Sequence, residues 1–551
     1  MASTSPSTGS GSLAENVHSS RIPPWRMVFD QAAVTEEVIN FPYPGTGTTE
    51  DPHIVSWTPN DPRDPMGFSN VSKWALMLLV SIMTFAVALV SSAYSGSTVE
   101  VIADFHISEE VSLLGVSLFV VGFAVGPLFW APLSEMYGRR HAFLASGAIM
   151  TAFVAGSAGS QNPWTLIILR FFAGCFGAAP FAVSGGVIAD TFPAVSRGLA
   201  GGLFCTAPFL GPTLGPIVGG FLSESAGWRW VEGLLAAFSG VLTILMFFTL
   251  PETYPPVLLR HRAARLHKIT GREYRSKLDD ARIPPLEAVK IAMFRPWVLL
   301  FREPIVFLLS LYMAIIYGIL YMLFAAYPIV FQIVRGWSEG MGGLAFLGIL
   351  IGILIAEAYT FPIYFRYKKK SLANAPLPLA PEARLPDSFA GCIALPVGLF
   401  WFAWTAAPPT HWMAPIAAGV PFGFGMVAVF LPVFNYLLDS YTIFAASAMA
   451  ANLILRSIFG AVFPLFTTYM YRDLRIGWAG SIPAFLSLAC APMPFLFYRY
   501  GPAIRKRCHY SAQSQAFVEK LLAAAAAQRA PKPEKPVDQA GVPGEKAEEA
   551  A

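Results

Sequence analysis

Apolar and polar positions alternate along this chain on the scale of whole helices. Apolar runs of helical length recur at about 74–94, 111–133, 142–160, 164–188, 199–222, 229–250, 302–326, 340–364, 388–406, 412–437, 443–468 and 479–498. Each can cross a hydrocarbon layer of about 30 Å as a helix. Polar stretches separate them: a Ser/Thr/Gly/Pro-rich arm (1–72), a basic, Pro-containing central segment (251–301) and an Ala/Lys/Glu/Pro tail (501–551). The pattern predicts an all-α polytopic membrane protein of twelve transmembrane helices, six over 73–250 and six over 302–500. The arm lacks apolar periodicity and is expected to be disordered, as is the tail beyond about 530. No cleavable signal peptide is read in the first 60 residues, so the first apolar run is expected to direct insertion.

Composition agrees: 55% of residues are hydrophobic and 13% charged, far from soluble norms. The net charge of +4 says little, because placement matters more than the sum. The loop at 95–110 carries Glu100, Asp104, Glu109 and Glu110 but no Lys or Arg. Basic clusters follow spans two (Arg139, Arg140), six (Arg260 to Lys277), eight (Lys368, Lys369, Lys370) and twelve (Arg505, Lys506, Arg507). With twelve crossings these share one side, so both termini are expected to be cytoplasmic; Arg472 and Arg475 are the minority on the other side. The five cysteines show no metal-ligand spacing, so neither a metal site nor disulfides are expected.

Span five is the least ordinary stretch. Gly211, Gly215 and Gly219 recur every four residues and form a bare stripe on a helix, which in lipid favours close helix contact. Pro208, Pro212 and Pro216 run beside it, each removing a backbone donor. A hinge or seal fits this better than an inert span. Matching ends hint at an internal repeat: spans two and eight end in basic turns (Gly138-Arg139-Arg140; Arg366 to Lys370), spans four and ten in Asp190-Thr191-Phe192 and Asp439-Ser440-Tyr441. Short polar turns also coincide by chance. Two homologous halves would place a binding site between them at the midplane.

Three stretches together resemble the major facilitator superfamily. Ala131 to Arg140, APLSEMYGRR, resembles its signature loop, and Leu166 to Arg170 with Gly174, Gly177, Ala178 and Ala179 its fourth-helix motif. Gly202, Gly211, Gly215, Pro216, Gly219 and Gly220 resemble the fifth-helix motif of its antiporter branch. Pro251-Glu252-Thr253-Tyr254, and Asn452 with Arg456, are similar to fungal twelve-span drug:proton antiporters. The signature loop departs from the pattern at Ala131, Glu135 and Met136, and the fourth-helix motif at Ala173. With one charge of the cytoplasmic latch missing, Glu135 is expected to work with Arg139 and Arg140. The resemblance implies two pseudo-symmetric six-helix halves, proton exchange and a coupling role for Arg170. The glycines of span five are then expected to pack against span eight of the other half. Gly138, Asp190 and Asp439 are expected at the cytoplasmic gate.

An arginine at a helix centre costs about 2.5–3.5 kcal/mol to insert, so it needs a wet cavity or a partner. Arg456 sits near the middle of span eleven with Asn452 one turn before it as a candidate partner; a cavity role and an interhelical anchor both fit. Arg170, two turns from the outer end of span four, has the alternative of snorkelling to the surface. Glu357 reads as the one carboxylate well inside a span. Desolvation favours its neutral form and a nearby arginine its charged form, the behaviour of a proton carrier; a polar contact near the end of span eight is the alternative. Tyr317, Tyr321 and Phe324 share a face of span seven, as a cavity wall or as packing.

No GxSxG, HExxH, Walker or CxxC motif occurs, so neither an enzyme nor a cofactor is expected and an ion gradient must supply the energy. The expected function is proton-coupled export of a small organic compound, such as a drug, secondary metabolite or organic acid, by a monomer that binds no nucleic acid. Polyamine or other cation export, and a non-transporting sensor of the same fold, are the alternatives. The plasma membrane is the expected location and the vacuolar membrane the second.

Overall fold

A computed structural model describes residues 22–277, 279, 284–374 and 379–529. The membrane helices are α1 (Asn70–Ala93), α2 (Glu109–Tyr137), α3 (Arg139–Ala158), α4 (Pro163–Thr191), α5 (Ala194–Ala226) and α6 (Trp228–Thr249). The second half has α7 (Pro304–Tyr327), α8 (Leu347–Ala373), α9 (Phe389–Thr405) and α10 (Met413–Ser440). In lipid, backbone groups must be satisfied within the segment, which is why these runs are helices. Polar caps start several of them: Ser108 Oγ accepts from Val111 N at 3.4 Å, and Asn162 Oδ1 from Thr165 N at 2.8 Å.

Among the described residues, eleven helices are long and apolar enough to cross a membrane, and the last, Thr442–Arg507, has 66 residues. As one helix it would be about 100 Å long, three times the hydrocarbon thickness. Arg475, at φ 61° and ψ 156°, breaks it. The parts of Ala445–Cys490 before and after Arg475 are α11 and α12, with Met493–Arg507 continuing α12, so the crossings number twelve as expected.

The two halves repeat their packing. In the first, Gly122 and Gly174 bring α2 and α4 to backbone contact; in the second, Gly352 and Gly423 do the same for α8 and α10. A Cβ built at any of these four falls 2.1–2.4 Å from backbone of the facing helix. The repeat in the basic turns is less literal. α8 runs on to Ala373, through Lys368, Lys369 and Lys370, and the arginine equivalent in place to Arg139 is Arg384, after α8.

The arm expected to be disordered is folded over its described part. Helices Pro24–Phe29 and Glu36–Ile39 precede a strand, β1 (His53–Val55), that pairs in parallel with β2 (Tyr274–Ser276) of the central segment. Val34, Val38, Tyr43 and Val55 pack on Leu259, Ala263 and Leu266 of helix Pro255–Thr270 as a small second core. Single-chain periodicity missed it because the apolar partners lie some two hundred residues away. Residues 1–21 and 530–551 lie outside the described residues.

Candidate functional site

Two arginines lie deep in the bundle, and the fold treats them differently. Arg170 on α4 is 1% exposed, so it does not snorkel. Its Nη1 donates to Glu232 Oε1, its Nε to Gly115 O at 2.9 Å, and its Nη2 to Val90 O at 3.1 Å and Ser91 O at 3.3 Å. The guanidinium lies 4.3 Å from the Tyr94 ring centre. Arg170 thus ties α4 to α1, α2 and α6. Glu232 therefore joins Glu357 as a second carboxylate inside the bundle. Its place in the first turn of span six, in WRWVEG, reads in sequence as interfacial.

Arg456 on α11 is buried without a carboxylate partner among the described residues, and its Nε makes no hydrogen bond. Aromatic faces surround it: Tyr317 at 4.7 Å, Phe430 at 5.3 Å and Phe181 at 6.0 Å. Rings of this kind attract a cation by their quadrupole but supply no counter-charge. Asn452 does not hold it as expected; its Nδ2 donates to Met313 Sδ at 3.2 Å, because that face of α11 packs on α7. Tyr317 and Tyr321 are both buried, joined by a hydroxyl contact of 3.2 Å, and Tyr321 meets Ser91 Oγ of α1 at 2.7 Å.

Glu357 on α8 is half-buried, and its Oε1 accepts from Thr206 Oγ1 of α5, across the two halves. Cys205, the neighbour of Thr206 in α5, is buried. Beneath this point a cleft of about 480 Å³, counting its open mouth, separates α5 at Gly198 from α8 and α10. Tyr359, Thr360, Tyr364, Tyr367, Arg384 and Asn435 are among its walls.

The stripe of span five does not do what was expected of it. Built Cβ atoms at Gly211, Gly215 and Gly219 meet Ala88, Ser92 and Ala93 of α1, in the same half. The spacing marks a smooth face but not what covers it. Contact with the other half comes from neighbouring faces of the helix. Gly202 approaches Leu431 and Thr360, a Cβ built at Gly220 falls 2.7 Å from Glu339 O, and Pro216 O lies against Gly343. Glu224 Oε2 accepts from Gly340 N at 3.1 Å beside them. The halves are sealed here and parted at the cleft.

The cleft opens on the face that carries the gate residues. Arg139 Nε donates to Asp190 Oδ2 at 3.2 Å, and Arg384 Nε to Asp439 Oδ2 at 3.1 Å, one latch per half. Glu135 is exposed and makes no hydrogen bond or ion pair among the described residues, so its expected partnership with Arg139 and Arg140 is not formed. Gly138 turns the chain at φ 100° and aims Arg139 at the end of α4 instead. The partner that sequence reading missed is Glu252 of the PETY stretch. Its Oε1 accepts from Arg139 N at 2.8 Å and its Oε2 from Arg140 N at 3.1 Å, capping α3.

Two pseudo-symmetric six-helix halves, sealed at one face and parted at the other around buried charge, define a membrane transporter of the major facilitator fold. Residues 80–464 match the family model described as Major Facilitator Superfamily, and the chain belongs to that family. It is 59% identical over 519 residues to the "Major facilitator superfamily multidrug transporter mdrA" of Aspergillus fumigatus, covering 93% of this chain and 84% of that one. It is 58% identical over 507 residues to the "MFS-type efflux pump MFS2" of Trichophyton rubrum (92% and 85% covered). Identity is 43% over 469 residues with the "Citrinin biosynthesis cluster MFS transporter mrr1" of Monascus ruber (84% and 93% covered). Among solved structures, the proton:xylose symporter XylE bound to 6-bromo-6-deoxy-D-glucose superposes with a TM-score of 0.55 at 16% identity. That match covers 79% of this chain and 96% of that one, and concerns the fold alone.

Proposed function

We propose that this protein exports a small organic compound in exchange for protons by alternating access, and that its cargo is a neutral or anionic amphiphile. Relatives named as multidrug transporters and efflux pumps support the direction of transport. The observation that carries the reading is a cleft between α5 of the first half and α8 and α10 of the second, whose wall at Tyr359 and Thr360 lies within one turn of Glu357 on α8. The Glu357–Thr206 hydrogen bond spans the halves, so it must break if they part there, which makes Glu357 a candidate for exchange with protons. Arg456, a buried cation among rings with no carboxylate partner among the described residues, suits a planar or anionic group and disfavours a polycation. Under this reading the cleft faces the cytoplasm, both described ends lie on that side, and the plasma membrane is the site of action.

The test is uptake by vesicles holding purified protein, with an acidic lumen as driving force. Fluorescein serves as the anionic probe, Nile red as the neutral one and rhodamine 6G as the cationic one. Accumulation of fluorescein or Nile red that collapses with the gradient is expected. Arg456→Ala should lower fluorescein uptake at least about tenfold, equal to about 1.4 kcal/mol. Preference for rhodamine 6G would favour the cation exporter, and no gradient-driven movement of any probe would remove proton exchange.

A further inference from the structure

One helix outside the membrane spans, Pro285–Arg302, leads directly into α7. Met293, Phe294, Trp297 and Phe301 are spaced to share one face of it, and all four are exposed, Phe301 to 74%. The Trp297 and Phe301 rings stack there at 6.4 Å. So many large apolar side chains side by side are the mark of a docking surface. Exposed Lys290 lies one turn before Phe294, and exposed Arg302 follows Phe301; Glu287, also exposed, lies at the end farthest from α7. Pro296, Leu299 and Leu300, on the other side, are buried in the bundle.

The place of the helix says what covers its apolar face. With Glu287, Lys290, Arg295 and Arg302 it is too charged to cross the membrane, yet only Glu303 separates it from Pro304, the first residue of α7. That joint is fixed. Glu303 is buried, and its carboxylate accepts from the Tyr441 hydroxyl at 2.8 Å and from Tyr510 N at 3.0 Å. Trp297 and Phe301 therefore lie at most about 11 Å from the start of a membrane span. At that depth, aromatic rings on one face with Lys and Arg beside them make an interfacial helix.

The buried side touches both halves. The helix packs on α2 of the first half and on Ala445–Cys490 of the second, with the Arg295 guanidinium 5.4 Å from the ring centre of Phe444, at the start of α11. Away from the cleft, α2 meets α11: Gly460 faces Val120, and Thr468 Oγ1 donates to Glu109 Oε1 at 2.9 Å. The helix covers this seam at its cleft-side end.

We infer that Pro285–Arg302 is seated in the leaflet on the cleft side, its apolar face among the upper acyl chains and Lys290 and Arg302 on anionic phosphate groups, and that so seated it clasps α2 to α11. Both contacts are made while the far face is sealed. Parting the halves at that face shifts the ends of α2 and α11 beneath the helix, so lipid that holds the helix down favours the sealed arrangement. Under the reading above this leaflet is the cytoplasmic one, which carries the anionic lipids; neither proton exchange nor the cargo enters.

Vesicles of phosphatidylcholine, with or without phosphatidylglycerol in both leaflets, test this whichever way the chain inserts. Phe294→Cys takes up bimane at that position alone, since the five native cysteines are buried. A doxyl group high on the lipid chain should quench the dye at least about twofold, while iodide in the water leaves it nearly unchanged. Quenching by iodide and not by the doxyl lipid overturns the seating and leaves the face to a protein partner. Should that variant fail to fold, Phe301→Cys is read in the same way. The clasp is read separately, from Ser95→Cys at the sealed face. Its labelling by an impermeant maleimide should be at least about threefold slower with phosphatidylglycerol than without. Lys290→Gln combined with Arg302→Gln should abolish that difference, although the effect of the lipid on the reagent itself is unaltered. Equal rates without the two substitutions, or a difference that survives them, overturn the lipid-held clasp.

Discussion

Four backbone amides end on the carboxylate of Glu252, those of Arg139, Arg140, Thr253 and Tyr254, and the residue is fully buried. The carboxylate faces the start of α3, where unpaired N–H groups and the helix dipole both favour negative charge. Removing it leaves donors facing nothing, at about 1–3 kcal/mol for each that the turn cannot re-satisfy. Glu252→Ala should therefore cost at least about 3 kcal/mol, and Glu252→Gln, which keeps one acceptor oxygen, roughly half that. Thermal unfolding read by a thiol-reactive dye measures this, since all five cysteines are buried and react only on unfolding. A melting curve unmoved in Glu252→Ala would mean that the turn at Gly138 holds itself. Latches of this kind lie where loops meet, so single residues there carry much of the order of the membrane face.

At the scale of helices, the smooth face of α5 belongs to folding and its neighbouring face to motion. A Cβ at Gly215 falls 2.7 Å from Ala93 N as well as against Ser92 Oγ, so Gly215→Leu pushes α1 off α5 within one half. The expected result is a large loss of folded protein on size-exclusion chromatography, not a folded but idle transporter. Gly343 is different. A Cβ there meets Pro216 O at 2.6 Å, a contact between halves, so Gly343→Ala should weaken the seal and leave each half intact. A destabilisation of about 1.4 kcal/mol raises the open population tenfold. Labelling of a cysteine placed at Ser95, which lines the seal, by an impermeant maleimide should rise accordingly. Unchanged labelling would show that the seal rests elsewhere. The twelve helices and the two halves were legible from run length and from motifs, because lipid makes apolar length nearly sufficient for a crossing. The partners of each face were not, since a period of four places Gly211, Gly215 and Gly219 in line without saying whether α1 or α8 lies opposite. Glu232 was illegible for a related reason: distance from a helix end says how far a residue is from the surface, not what covers it.

At the scale of the whole molecule, the arm and the central segment join in a folded strap on the first half. Arg262 of the central segment donates from Nη2 to Asp61 Oδ1 of the arm at 2.9 Å, with a second contact from Nη1 to Oδ2, and both residues are buried. Arg63 reaches Met27 O, and Phe29 packs edge-on against Phe247 at 5.7 Å at the end of α6. The strap thus binds the arm, the central segment and the base of α3 and α6 into one block, a rigid partner for the second half to move against. Its key ion pair sets a pH window. Burial works against charge on Asp61, but the Arg262 contact and its field, with the amides of Arg63 and Thr58, outweigh it and hold the carboxyl below its usual range. A depressed folded value means that the stabilisation is complete above the unfolded value of about 3.9 and is lost as pH falls through the folded one. The arm should therefore resist proteolysis at neutral pH and stay resistant to about pH 4, becoming labile only below that. Asp61→Asn should show the same release at neutral pH, since leaving Arg262 buried without its acid costs about 3–5 kcal/mol. Tryptic cleavage within the arm should quicken at least about tenfold, because cutting tracks the open population, while the thiol-dye melting of the membrane helices moves little. Equal cleavage rates would show that the β1–β2 pairing and the small apolar core hold the strap without the ion pair. A melting point that falls with the strap would show that the block and the first half unfold as one.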